Sequence, residues 1–382
     1  MSHSLWLPVT VLFLAGCLAA PSADPIDPDA PIDDGIPSFL ELDHDHNDAS
    51  LHEGASGFSL GAYLPICAAS ASCSFGEIDV MANILIQAIM EPDGGFALVD
   101  IQTPTSPRLL STTTFGRAVA TDVKLSPDAK TAFVAVSNWA PLVGKAGLQQ
   151  DPTSASGLAR SQGVQVYDIS EPRAPVARWF EPIGLEGVHM VDVHVIDGAT
   201  YVVVTTPAYF KFYAAHVQET TSEPVWIGRY DPTLGRLAHV ADYTPPEVIE
   251  AAPVSGAGSF SAHDITIIDD PDEGPILFGA YGFGVAAASL KDPASPRHLG
   301  SWSLVAAGFD AAVHNTHTVM VQRVDGRRTL VITPEQIEDN TLYVVDAQDL
   351  SKMTLLGTWS LPGDLENYRG VMWSLHNVNL LD

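Results

Sequence analysis

Short hydrophobic runs of strand length, separated by turn residues, recur along most of the chain. One motif consists of an apolar strand that ends in Asp, a small turn with two prolines, and a second apolar strand, as at 96–110 and 164–177. This Asp–Pro motif returns in weaker form at 225–240, 285–300 and 342–357. Its Asp position holds Asp100, Asp168, Asp231, Ser289 and Asp346. The mean spacing of about 62 residues indicates an internal repeat.

A second motif, a strand followed by a tight turn and a strongly β-prone strand, precedes the last four copies. This hairpin motif covers 121–136, 191–206, 263–280 and 317–333. Asp-Gly at 197–198 and 325–326 is typical of two-residue hairpin turns. The repeat is therefore predicted to contain four antiparallel strands. The prolines of the Asp–Pro motif end the third strand, because proline fixes φ and has no N–H donor.

A four-stranded unit of this length cannot bury both faces alone, but repetition around an axis stacks sheet on sheet. We therefore predict an all-β protein, a β-propeller of four-stranded antiparallel blades. Tandem β-sandwiches need about 100 residues per unit, and solenoid coils are much shorter. Residues 374–381 restart the hairpin motif after five repeats. Six blades are favoured, with residues near 55–78 closing the ring; seven blades in a longer parent chain are the alternative.

The segments 94–110 and 163–177 resemble the LVIVD-repeat family of bacterial and archaeal β-propellers, which are often exported. The resemblance covers roughly 75–382 and implies the fold, but little about activity. The later repeats depart from the pattern, since Ser289 replaces Asp and Leu350 and Met353 replace the two prolines. A patchier resemblance, at 122–139, 164–170 and 201–213, links the chain to the selenium-binding, methanethiol-oxidase family of copper propellers.

The N-terminus has the pattern of an export signal. Residues 5–14 form an apolar run that is too short for a membrane span and has the length of a signal-peptide core. Residues 14–17, Leu-Ala-Gly-Cys, resemble the bacterial lipobox, which implies a signal segment over 1–17 and lipidation of Cys17. Because residues 1–4 carry no Lys or Arg, an ordinary signal peptide cut near Ala20 is the alternative. No second stretch suited to spanning a membrane follows, so membrane contact is predicted through the N-terminal lipid only, on the periplasmic or cell-surface face.

Residues 18–54 are predicted to form an acidic, proline-rich tether, and 55–382 the propeller. Residues 18–53 contain ten acidic residues, five prolines and no Lys or Arg, so the segment repels itself and stays extended. The imidazoles at 44–46 and His52 are interpreted as solvated side chains of this tether. If Cys17 carries lipid, Cys67 and Cys73 remain, and the oxidising environment of an exported protein predicts a disulfide between them.

The charge of the chain excludes one class of function. There are 18 Lys and Arg against 46 Asp and Glu, a formal net charge of -28, and such a surface repels phosphate backbones. Nucleic acid is thus excluded as a partner. The remaining partner hypothesis is an unidentified protein or glycan.

Histidines supply the candidate chemistry. Superposition of the hairpin motifs places His263, His317 and His376 at one repeat position, just before the first strand, with His189 two residues earlier in its own repeat. The first strands of propeller blades line the central channel, so these imidazoles are predicted to surround one mouth and to hold Cu or Zn. Alternatively, each His bonds to a neighbouring blade and recurs only through shared ancestry. The predicted hydrogen-bond acceptors behind the ligands are Asp192, Asp264 and Asn377.

Two further motif matches carry no function. Residues 57–61 match G-x-S-x-G, but the strand and helix that surround a nucleophile elbow are missing from the pattern. Residues 279–284 are glycine-rich without dinucleotide spacing, and are interpreted as a bend between blade strands. Two functional hypotheses remain: a lipid-tethered propeller that acts as a binding module, or a Cu- or Zn-dependent enzyme, such as an oxidase, with its site at the channel mouth.

Overall fold

Five four-stranded antiparallel sheets make up nearly all of the described structure. The computed structural model describes residues 62, 64–66, 74–91, 94–115, 118–137, 163–183, 188–206, 224–250, 261–309, 316–334 and 341–360. In every sheet, four strands that are consecutive in the chain are hydrogen-bonded in chain order. The predicted repeat of two hairpins is therefore confirmed.

The sheets follow one another along the chain, and each forms one blade. The first contains β1 (Ser74–Met81), β2 (Ile84–Glu91), β3 (Gly95–Asp100) and β4 (Arg108–Thr114). The second contains β5 (Val119–Leu125), β6 (Thr131–Ser137), β7 (Gly163–Asp168) and β8 (Val176–Pro182). The third contains β9 (Met190–Ile196), β10 (Ala199–Thr205), β11 (Val225–Asp231) and β12 (Arg236–Tyr243).

The fourth and fifth blades complete the described part of the chain. The fourth contains β13 (Asp264–Asp270), β14 (Gly274–Tyr281), β15 (Gly284–Ser289) and β16 (Arg297–Ser303). The fifth contains β17 (Thr318–Val324), β18 (Arg327–Thr333), β19 (Thr341–Asp346) and β20 (Thr354–Ser360). A short helix, α1 (Pro246–Glu250), leads from the third blade towards the fourth, and a 3-10 turn at Leu350–Lys352 precedes β20.

The Asp–Pro motif is a turn that fixes the register of the two outer strands. The third strand of every blade ends at the motif's Asp position, as predicted. Asp168 Oδ1 accepts a hydrogen bond from the Ser170 amide at 2.9 Å, and its Oδ2 accepts one from Arg178 on β8 at 2.6 Å. The bond from Arg178 is the largest cause that lowers the pKa of Asp168 to about 2. In the fourth blade Ser289 Oγ accepts the equivalent amide bond, from Lys291, at 3.3 Å.

A β-bulge recurs at one place in all five blades. The register between the third and fourth strands shifts near the middle of the third strand in each of them. A bulge bends the outer strand and increases its twist, so the exposed edge of the blade becomes a poor template for pairing with another chain.

The blades stack side by side around an axis. Their first strands contact one another in order, β1 with β5, β5 with β9, β9 with β13 and β13 with β17. Apolar side chains fill the space between neighbouring sheets; between the first two, Phe96 packs edge-on against Tyr167 with ring centroids 4.9 Å apart. This arrangement confirms the predicted β-propeller. The number of blades in the closed ring stays a prediction, because 67–73 and 361–382 lie outside the described residues.

The first blade contains a hairpin, β1–β2, that the repeat pattern did not single out. Residues 74–78, which were predicted to help close the ring, are instead the start of β1 in the first blade. The hairpin was missed because its turn carries no Gly or Pro. Ala82 occupies the left-handed region there, with φ of 54°.

Side chains join the innermost strand of each of the first four blades to the next blade. Three of these links are carboxylates that accept a main-chain N–H, and the fourth is a threonine hydroxyl that donates to a carbonyl. They run from Asp79 to Leu125 at 2.7 Å, Asp122 to Val191 at 2.8 Å, Asp192 to Ile267 at 3.0 Å and Thr266 to Val319 at 2.7 Å.

Lys124 compensates the buried charge of these carboxylates. Its Nζ lies 3.0 Å from Asp122 Oδ1. Burial raises the pKa of Asp122, and Lys124 opposes that rise. Burial would lower the pKa of Lys124, but the charges of Asp122, Asp192 and Asp79 outweigh it and raise that pKa above its usual range. The lysine is therefore a stable cation among acidic groups.

Among the described residues, no helix has the length and apolar character needed to cross a membrane. The predicted signal segment at 1–17 and the tether at 18–54 lie outside the described residues.

We predict that Asp122→Ala lowers the free energy of unfolding by about 3–5 kcal/mol, because it leaves the Lys124 charge and the Val191 amide without their acceptor. Urea unfolding followed by circular dichroism measures the loss. The control is Asp242→Ala, which removes a surface pair with His239 and should cost less than about 1 kcal/mol. Equal losses in the two variants would contradict the role given to Asp122.

Candidate metal centre

Three histidines occupy the same position in three successive blades. Each immediately precedes the innermost strand, and its main-chain N–H donates to the carbonyl at the end of the second strand. The pairs are His189 with Thr205 at 2.9 Å, His263 with Ala280 at 2.7 Å and His317 with Thr333 at 2.8 Å. Because of this shared hydrogen bond, the three side chains leave the backbone at the same level of the channel.

The two-residue displacement predicted for His189 is wrong, because the structure places it level with His263 and His317. The error arises in the third repeat, whose hairpin motif was started at 191. The Asp-Gly turns at 197–198 and 325–326 lie equally far after His189 and His317, so superposition on the turns makes the two histidines equivalent.

The three imidazoles converge. One ring nitrogen from each of His189, His263 and His317 lies within 4.8 Å of the other two. The ring of His263 is the middle one, with centroids 4.2 Å from His189 and 3.8 Å from His317. His263 and His317 are buried, and His189 is half-buried. The cluster is therefore largely shielded from bulk water.

The spacing suits a small metal ion. Zn–N bonds of about 2.0–2.1 Å in a tetrahedral site place the nitrogens about 3.3 Å apart, and small side-chain rotations close the difference. Nδ1 of His317 lies 2.9 Å from Thr318 Oγ1, which orients the ring and makes Nε2 its natural ligand atom. Thr205 Oγ1 donates to the His263 carbonyl at 2.9 Å, so the third blade also holds the backbone of the middle histidine.

Asp192 and Asp264 lie near the cluster, and the bonds resolved for them go to the main chain. Asp192 accepts from Val193 and Ile267, and Asp264 Oδ1 accepts from Ile265 at 2.6 Å. Burial raises the pKa of Asp192 to about 6. Burial, followed by the charge of Glu77, raises the pKa of Asp264 to about 8. Asp264 is thus mostly neutral at pH 7, and the role of both groups behind the histidines stays a prediction.

The other residues singled out from the sequence lie away from this cluster or outside the described residues. Residues His376, Asn377, Cys17, Cys67 and Cys73 lie outside the described residues. The second blade has Ala118 before its first strand, and Thr121, which the sequence superposition placed there, lies inside β5. Residues 282–283 form the turn between β14 and β15, as the glycine-rich stretch indicated.

Sequence reasoning missed the charged groups that line the channel, Asp79, Asp122 and Lys124. A signal was present, since Asp79 and Asp122 each stand within an otherwise largely apolar innermost strand, and charged residues are rarely buried there without a partner. The two carboxylates accept main-chain amides of the next blade, and Lys124 pairs with Asp122; no sequence motif records these contacts.

Comparison with known proteins supports the fold. No protein-family model and no curated protein matches the chain, so the LVIVD resemblance stays a prediction. The solved structure of a hypothetical selenium-binding protein from Sulfolobus tokodaii is 13% identical, with a TM-score of 0.50, over 75% of this chain and 66% of that one. At this identity the likeness shows the propeller fold alone.

Two other solved structures are similar at lower scores. The periplasmic gluconolactonase of Pseudomonas aeruginosa is 13% identical with a TM-score of 0.47, over 73% of this chain and 68% of that one. Sqt1 of Saccharomyces cerevisiae is 9% identical with a TM-score of 0.47, over 76% of this chain. The chain covers 61% of Sqt1, less than two thirds of its length.

We predict that Asp264→Asn removes a pH dependence of stability. The folded-state pKa of Asp264 is raised from 3.8 to about 8. Its contribution to folding stability is therefore full at low pH and is lost as the pH rises towards about 8. The charged groups that act on it are Glu77 on β1 and Lys124 and Asp122 on β5. Relative to the wild type, the free energy of unfolding of the variant should rise by at most about 1.4 kcal/mol per pH unit between about pH 5 and about pH 7.

Urea unfolding of chelator-treated protein across this pH range measures the difference. Asp272→Asn is the matched control, because Asp272 is exposed in the turn between β13 and β14. A free-energy difference between Asp264→Asn and the wild type that does not change with pH would contradict the prediction.

Proposed function

We propose that this protein is a β-propeller that binds one transition metal ion, Cu or Zn, at one mouth of its channel through His189, His263 and His317. The observation that carries the proposal is the convergence of three ring nitrogens within 4.8 Å of one another, from three different blades. Neutral imidazole is the commonest nitrogen ligand of both metals. The net charge of -28 also favours the accumulation of cations near the protein.

A set of three histidines leaves a coordination position open for water or substrate. Three protein ligands with an open position are typical of catalytic rather than structural zinc sites. A bound Zn would supply Lewis-acid chemistry and a bound Cu would supply electron transfer. In either case the main-chain bonds that precede β9, β13 and β17 hold the backbones of the three histidines at equivalent positions.

The competing hypothesis is a binding module without a metal, which presents a blade face to a protein or glycan partner. In that case the three histidines pack against one another only because the blades share an ancestor. Metal binding by the purified protein separates these two functions.

We predict that the wild-type protein binds one Zn²⁺ per chain and that His263→Ala weakens binding by more than about 100-fold, since loss of even an outer partner of a metal ligand costs 10–100-fold. His263 is chosen because it is the central ring of the cluster. Isothermal titration of chelator-treated protein with Zn²⁺, and metal analysis of the protein as purified, measure the effect.

His239→Ala is the control, because His239 is exposed and pairs with Asp242 on the surface. His263→Gln, with circular dichroism of both variants, separates loss of a ligand from loss of the fold. Absence of Zn²⁺ and Cu²⁺ binding in the folded wild type, or unchanged binding in folded His263→Ala, would leave the binding module as the function.

The proposed location is outside the cytoplasm, on a lipid anchor at Cys17 that is followed by the acidic tether at 18–54. Each buried methylene of an acyl chain contributes about 0.8 kcal/mol, and several chains together anchor a protein firmly. The proposal is supported by the apolar run at 5–14 and the residues Leu-Ala-Gly-Cys that follow it.

We predict that the mature protein starts at a diacylated Cys17 and that Cys17→Ser moves it from the membrane fraction to the soluble exported fraction. Mass spectrometry of the N-terminal peptide and membrane fractionation of a bacterial host measure this. An unmodified N-terminus near Ala20 would show that an ordinary signal peptide is removed instead.

A further inference from the structure

One threonine bonds to the backbone around two of the three histidines. Thr205 is the last residue of β10, and its carbonyl accepts the His189 amide at 2.9 Å. Its hydroxyl accepts the Met190 amide at 3.2 Å and donates to the His263 carbonyl at 2.9 Å. A threonine hydroxyl can accept and donate at the same time, so one oxygen makes both bonds. Thr205 therefore joins the first histidine, at the start of the third blade, to the middle histidine, at the start of the fourth.

These bonds fix the backbone of the middle histidine on both sides. The His263 amide donates to the Ala280 carbonyl of its own blade at 2.7 Å, and its carbonyl accepts from Thr205 of the preceding blade. Thr205 is 1% exposed, so water does not compete for its hydroxyl. The rings of His189 and His263, whose backbones it joins, have centroids 4.2 Å apart. The spacing of these two histidines is thus set by protein groups alone.

The fourth blade cannot make the same link to the fifth, because Ala280 occupies the position of Thr205 there. Both residues accept the amide of the histidine of their own blade, but alanine has no hydroxyl that could reach the next one. Thr316, directly before His317, makes the connection in the other direction, since its hydroxyl donates to the Gly284 carbonyl of the fourth blade at 2.8 Å. Buried threonine hydroxyls therefore connect both neighbouring pairs of histidine-bearing segments, in two different ways.

A spacing that exists before an ion binds increases the affinity of a metal site. When ligands are free to separate, part of the binding free energy is spent on bringing them together. Ligands therefore need outer hydrogen bonds that hold them close to the bound geometry. The three ring nitrogens already lie within 4.8 Å of one another in the structure without metal.

We propose that Thr205 is a positioning residue of the candidate metal centre, and that its hydroxyl sets the distance between His189 and His263 before an ion binds. The proposal rests on the proposed function. Thr205 acts on the two ligands through their backbones and is not itself a ligand. Removal of its hydroxyl should therefore weaken metal binding although all three imidazoles remain.

Three substitutions of Thr205 test the role of the hydroxyl. Thr205→Val removes the hydroxyl and keeps the shape of the side chain, Thr205→Ala removes it and leaves more space, and Thr205→Ser keeps it. We expect Thr205→Val and Thr205→Ala to bind Zn²⁺ at least about 10-fold more weakly than the wild type, as is usual for the loss of an outer partner of a metal ligand. Thr205→Ser should restore the wild-type affinity. Isothermal titration of chelator-treated protein with Zn²⁺ measures the differences.

Thr131→Val is the matched control. Thr131 is 8% exposed, and its hydroxyl lies 3.2 Å from that of Tyr230 in the next blade, so it also makes a buried contact between blades. It is the first residue of β6, whereas Thr205 is the last residue of the equivalent strand β10, so the two lie at opposite ends of their sheets. Thr131→Val should keep the Zn²⁺ affinity of the wild type. Circular dichroism and thermal unfolding without metal establish that each variant is folded.

The outcomes distinguish this inference from the function on which it rests. Wild-type affinity in folded Thr205→Val or Thr205→Ala, or equally weak binding in Thr131→Val, overturns the role of Thr205. Binding by Thr205→Ser that is as weak as that of Thr205→Val also overturns it, because the hydroxyl is then not the cause.

Failure of both Thr205→Val and Thr205→Ala to fold would show that the hydroxyl serves the whole fold rather than the site, and this too overturns the proposal. In each of these cases the His263→Ala result still decides the three-histidine site. Absence of metal binding in the wild type overturns both proposals.

Discussion

The structure depends on how the inner edge of each blade is satisfied. The first strand of a blade pairs with the second on one side only, and its other edge faces the channel with main-chain groups that no strand completes. Aspartates supply the missing acceptors, since the carboxylate of one blade accepts a hydrogen bond from a main-chain amide of the next. Buried carboxylates in turn require a cation, which Lys124 supplies. The acidic side chains of the channel are thus required by the fold, whatever their role in function.

The candidate site follows from the same geometry. The residue before the innermost strand is tied by its amide to the end of the second strand, so its side chain starts from an equivalent point in every blade. Histidine at this point in three successive blades necessarily brings three rings together at one mouth. His189, His263 and His317 are therefore close in space although they are far apart in the sequence.

The sequence predicted what depends on local chemistry and missed what depends on contacts between blades. The ends of the third strands were predicted because Asp caps a turn by bonding its own chain two residues on, as Asp168 does. The first hairpin was missed because Ala82 adopts a conformation usually left to glycine. The bonds from Asp79 and Asp122 to another blade depend on the closed arrangement, so no local pattern indicates them.

In the described blades, four links between innermost strands run in one direction, from the side chain of one blade to the main chain of the following blade. Each blade therefore offers side chains to the blade that follows it in the chain and main-chain groups to the blade that precedes it. A blade copied in tandem by gene duplication carries both faces and joins its neighbours without a new contact. Loss of part of a blade, in contrast, leaves a carboxylate in the channel without its amide, so lineages of this fold can change by whole blades far more easily than by fractions of one.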